Sequence, residues 1–280
     1  MRHSKQSDAP QAEKPRRKKS NLLSNILIFV GIVLLAIAGG LWGQAQWQYH
    51  KQAKVNEELA EFVTTEPAAT PEEGPKPPTV DWAGLKAVND DVIAWIQAPD
   101  TVINYPVYQA GDNERYLRNT ATGEWSWGGQ LFCDFECTPP GMVDALTLVY
   151  GHHLLDGTMF KPIADMDSQE AFDKVHTIWY VTETSAFECV PLYLYYTQAE
   201  DQEVRTFNWP SYDAFHFYLN DRLGRAVTKR ADAANIIPGV AHALCLITCN
   251  YYDGYGRTVL ICVPKDEANF ALMNQGLPTV

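Results

Sequence analysis

Residues 245–263 read CLITC, NYYDGYG, RTVLICV: two apolar, β-branched runs on either side of a glycine-containing loop. That pattern predicts an antiparallel hairpin. Successive side chains on a strand alternate between faces, so pairing Cys249 with Arg257 puts both on one face. Cys245 shares that face. Cys262, an odd number of positions from Arg257, points to the other, and a Cys245–Cys262 disulfide is not expected. A thiol beside a guanidinium supplies a nucleophile and a fixed cation for a carbonyl oxygen, two of the parts that acyl transfer needs.

The third part, a proton carrier, lies upstream. VYGHHLLDGTMF, residues 149–160, places His152 and His153 directly after an apolar run. A histidine at a strand end can project into a cleft. Zinc is the other use of such sets, with Cys133, Cys137, His152 and His153 as conceivable ligands, but the C-x3-C spacing and adjacent histidines suit it poorly. No metal and no organic cofactor is expected. Most of the six cysteines (133, 137, 189, 245, 249 and 262) read as small buried hydrophobes.

Further out, VIAWI, residues 101–108, GQLFCDF, ALTLVY, TIWYV and FECVPLYLYY read as short strands, making about eight with the hairpin. Few helices intervene, which suggests a closed barrel or a sandwich. Asp81 caps a short helix, and Phe215, Leu219, Leu223 and Val227 recur at one-turn spacing, predicting a helix over 211–229.

The N-terminal region differs in composition. Residues 1–20 carry seven Lys or Arg against Asp8 and Glu13; with −12 for the whole chain, the remainder carries −17. No charged side chain occurs from Asn21 to Tyr49. About 20 such residues cross a bilayer as a helix. The assignment is a basic cytoplasmic tail (1–20), a transmembrane signal-anchor (21–43), a stalk and proline-rich spacer (44–79) and an extracellular domain (80–280). A cleaved signal peptide ending near Ala38 is the alternative. The acidic domain is a poor partner for nucleic acid.

With these residues assembled, the chain resembles the sortases, cysteine transpeptidases of Gram-positive cell surfaces. CLITC stands where the family has T-L-x-T-C, Arg257 follows on the next strand, and YGHH with DGTMF resembles the class B histidine motif, with His152 at the catalytic position. NDDVIAWIQAPDTVINYPVYQ, DNERYL and GGQLFCD are similar to class B sequences as well. Two positions depart: Cys245 replaces a usual Thr, and Ile247 a frequent Ser.

The resemblance implies a mainly β fold, a closed eight-stranded sortase-type barrel with a few peripheral helices. It implies His152, Cys249 and Arg257 as catalytic residues, with Ile247, Thr248 and Asn250 lining the substrate groove and Asp253 a candidate orienting group. The implied partners are surface proteins bearing a C-terminal sorting signal and an amine from a cell-wall peptidoglycan precursor or a pilin lysine. A pilin polymerase and an exported cysteine peptidase are the rival activities, and a membrane-anchored binding module with incidental Cys and His is the non-enzymatic one.

Overall fold

The computed structural model describes residues 22–66, 74–250 and 256–280. The chain divides into two compact units, residues 1–47 and 48–280. Helix α1 (Leu22–Ala60) begins in the first. Its Ile, Leu and Phe side chains there are exposed, and by length and composition the helix can cross a membrane.

The second unit begins at Gln48, well ahead of the Val80 that composition suggested. Gln52, Asn56 and Leu59 are buried within it, so the end of α1 belongs to the folded body. Val63 pairs with Val80 and Thr64 with Thr79, antiparallel, so the residues flanking the proline-rich stretch lie side by side. The Asp81 amide closes this neck by donating to Phe62 O at 2.8 Å. Composition reports proline's local stiffness and is blind to the pairing of a segment's ends. Asp81 then caps helix α2 (Trp82–Val88), its carboxylate accepting from the Gly84 amide at 3.0 Å.

The barrel follows. Strand β1 (Val92–Gln97) turns through Asp100, at φ 63°, into antiparallel β2 (Asn104–Tyr108). β2 lies parallel to β3 (Leu131–Cys133), which is antiparallel to β4 (Leu146–Tyr150). β5 (Ile178–Val181) returns beside β1 and pairs with the long β6 (Ala186–Gln198). After β7 (Ala226–Lys229) come β8 (Ala243–Cys249), parallel to β4, and antiparallel β9 (Gly256–Pro264). Pairing of β9 with β6 closes the ring β1-β2-β3-β4-β8-β9-β6-β5, an eight-stranded barrel. All eight correspond to the runs read from the sequence. Pro191 is accommodated in β6 at a register shift opposite Cys262, where proline's missing N–H is tolerated.

β7 was not foreseen. The helix predicted for 211–229 stops at Leu223, before Gly224, and Ala226–Lys229 instead adds to the free side of β6. Val227 therefore leaves the helical stripe and stands 45% exposed. The helix itself, α3 (Tyr212–Leu223), is capped by Ser211 and buries Phe215 and Leu219 against the barrel. A final helix, α4 (Lys265–Met273), follows β9 directly.

Candidate active site

The barrel's hydrogen-bond register assembles the site. In the β8–β9 hairpin Cys249 pairs with Arg257, and Arg257 Nη1 lies 3.6 Å from Cys249 Sγ. On the other side of β8, the parallel register sets Ile247 beside Tyr150, and the Gly151 amide donates to Ile247 O at 3.0 Å. His152 follows two residues after Tyr150, and Cys249 two residues after Ile247. Gly151 serves closeness here: a Cβ would fall 2.5 Å from Leu131 Cδ2 and 2.6 Å from Phe160 Cδ2.

His152, Cys249 and Arg257 line one cleft of about 250 Å³, with Ile247 and Thr248 in its wall. Thr248 is buried, and its hydroxyl has no partner among the described residues. Asn250 is not in that wall. It is buried, and a Cβ on Gly256 would come within 2.5 Å of its Oδ1, so its carboxamide packs against the hairpin backbone rather than facing the cleft. Proximity to the nucleophile in sequence could not separate these outcomes. Asp253 lies outside the described residues.

His152 Nε2 is 2.7 Å from Leu117 O. A carbonyl only accepts, so Nε2 carries the hydrogen and Nδ1 is left to exchange a proton. Desolvation in the cleft pushes this imidazole below its ordinary range. The Leu117 carbonyl acts in the opposite sense, and the charges of Arg118 and Arg257 add to the lowering. His153 takes a different part: its Nδ1 donates to the carbonyl of Cys249 at 3.0 Å, tying the end of β8 to the histidine loop.

Sequence reasoning missed a second cation. Arg205 lines the cleft beside Tyr150. It grips the fully buried carboxylate of Asp134 with Nε at 2.8 Å and Nη2 at 3.1 Å, and Nη2 also reaches Glu136 at 2.5 Å. Tyr150 OH and Asn113 Nδ2 donate to the same carboxylate at 2.8 and 2.9 Å. Burial pushes the Asp134 carboxyl up, but the Arg205 bond, the Glu136 amide and the Tyr150 hydroxyl outweigh it and hold it below the usual range. With 71 positions between Arg205 and Asp134, no spacing rule links them.

Cys249 is partly exposed, whereas the other five cysteines are buried; all six are free thiols. Cys133 and Cys137 lie in the core rather than beside the histidines, Cys137 Sγ accepting from the Leu148 amide at 3.4 Å.

No family model matches the chain. It is 28% identical over 177 residues to Sortase B of Staphylococcus aureus, covering 62% of this chain and 68% of that protein. To Sortase B of Listeria monocytogenes it is 26% identical over 179 residues, covering 63% and 70%. The fold superposes on the crystal structure of Clostridium perfringens sortase B with a TM-score of 0.59 and 27% identity, over 65% of this chain and 97% of that one. In sequence and fold the chain is similar to these class B sortases. The sortase barrel accounts for the eight-stranded ring. β7, appended to β6, lies outside that ring.

Proposed function

We propose that this sortase is a membrane-anchored cysteine transpeptidase that cuts a C-terminal sorting signal after Thr and joins the released surface protein to a cell-wall amine. The observation that carries the reading is the Arg257 guanidinium 3.6 Å from the Cys249 thiol, in a cleft that His152 also lines.

The neutral imidazole takes the thiol proton, and Cys249 Sγ attacks the Thr carbonyl carbon. Arg257 stabilises the negative charge that develops on oxygen. The C–N bond then breaks, His152 returns its proton to the leaving amine, and a thioester remains on Cys249. An incoming amine attacks that thioester, giving up a proton to His152. The new amide forms as the C–S bond breaks, and the proton returns to the thiolate. Ile247 and Thr248, in the cleft wall, are the substrate-contacting residues of this scheme.

The apolar part of α1 is read as the anchor, with the basic residues 1–20 in the cytoplasm and the catalytic unit outside. Sorting-signal substrates are themselves held at the membrane, so tethering the enzyme raises its effective concentration. The test is intact-mass analysis after incubation with sorting-signal peptides. An adduct on Cys249 ending at Thr supports the reading; hydrolysed peptide with no transfer to any added amine contradicts it.

A further inference from the structure

The two buried polar side chains of α1 stand out because their surroundings are otherwise those of a packing interface. Gln52 is 2% and Asn56 9% exposed, and Leu59, one turn on, is buried among apolar side chains. Burying an amide is costly unless its hydrogen bonds are made. Here they are made to loop atoms that lead to the reacting groups.

Gln52 Nε2 donates to Gly129 O at 3.1 Å, and its Oε1 accepts from the Ser126 hydroxyl. That loop is pressed onto residues 116–118: a Cβ at Gly129, where φ is +50°, would lie 2.2 Å from Tyr116 O. Ser126 N donates to Arg118 O at 2.8 Å, and Gln130 N to Tyr116 O at 2.9 Å. Between them sits Leu117 O, the acceptor for His152 Nε2.

Asn56 reaches the other loop, its Nδ2 lying 3.7 Å from Met159 Sδ. Met159 pairs across the loop with His153, which donates to Cys249 O, and Phe160 N donates to His152 O at 2.8 Å. One helical turn apart, the two side chains also bond each other, Gln52 Nε2 to Asn56 Oδ1 at 3.1 Å.

We infer that Gln52 and Asn56 are positioning residues for catalysis: through the 116–130 loop Gln52 fixes the acceptor that orients His152, and through Met159 and His153 Asn56 fixes the end of β8 that carries Cys249. The inference rests on the transpeptidase reading above. It makes α1 part of the catalytic apparatus.

The test uses the full chain in detergent micelles, comparing wild type with Gln52→Leu, Asn56→Leu and, as a milder cut in the same link, Ser126→Ala. Lys54→Ala, on the exposed side of α1, is the control. For the two leucine variants kcat falls at least ~10-fold with KM within ~2-fold, since small misplacements of reacting groups act on the chemical step; Ser126→Ala moves the same way by less. Lowered melting temperatures with unchanged kcat in all three overturn the inference, because that is what packing alone would do. If wild type itself turns over no peptide, the transpeptidase reading fails separately. Iodoacetamide alkylation of Cys249, the one thiol that is not buried, then decides: altered rates in the leucine variants support the positioning role, and rates equal to wild type overturn it.

Discussion

Cys249 and Arg257 face each other because strand side chains alternate and the hairpin register makes them partners, a relation that period-two reading of residues 245–263 anticipates. Removing either group should therefore act on chemistry and leave the fold in place. Cys249→Ala abolishes turnover. Arg257→Ala lowers kcat by ~10²–10³-fold, the usual cost of losing an oxyanion donor. Arg257→Lys recovers little of it, because an ammonium does not reproduce the guanidinium fork; recovery to within ~2-fold would mean that charge alone suffices. The lowered pKa of His152 sets the pH dependence. The imidazole must be neutral in the free enzyme to accept the thiol proton, so kcat/KM declines only as pH falls below the ordinary imidazole value of about 6.5. An acid limb centred above that value would contradict the assignment. The role of His153 escaped sequence reading because the contact is to a main-chain carbonyl 96 positions away, which no side-chain pattern encodes.

At the scale of elements, the site depends on how closely β4 and β8 run together past their paired ends. Gly151→Ala inserts a methyl where Leu131 and Phe160 already stand, and should destabilise the domain by about 1–3 kcal/mol, as overpacking generally does. Thermal or denaturant unfolding reads this, and an unchanged midpoint would show that the two side chains can move aside. The Asp134–Arg205 pair ties the end of β3 and Tyr150 of β4 to the segment after β6. Asp134→Asn leaves Arg205 without its main counter-charge and should cost about 3 kcal/mol. Because the folded-state pKa of Asp134 is depressed, its contribution is complete above the ordinary carboxyl value and is lost as pH falls through the folded one. The pH-stability curves of wild type and Asp134→Asn should thus converge in acid; a constant gap down to pH 2 would contradict the linkage. None of this network was legible beforehand, since it joins three loops with no common period.

For the whole molecule, the strands were legible because each is a short β-branched or aromatic run bounded by turn residues. The runs alone left a closed barrel and a sandwich both open, because closure rests on β9 meeting β6, strands far apart in the chain, and it was the resemblance that implied the closed eight-stranded ring. Composition suggested that residues 44–79 are a stalk and spacer, whereas α1 contributes buried residues to the folded unit and the proline-rich segment is closed at its neck. A chain beginning at Val80 should accordingly unfold at lower temperature than one beginning at Gln48. The central claim, that Cys249 carries the acyl group, is tested most directly by the mass of the intact full-length protein after brief incubation with sorting-signal peptides, beside Cys249→Ala. The expected result is an added mass equal to the peptide fragment ending at Thr, absent in the variant and discharged by an added amine. The same adduct on Cys249→Ala, or turnover by that variant, would contradict it.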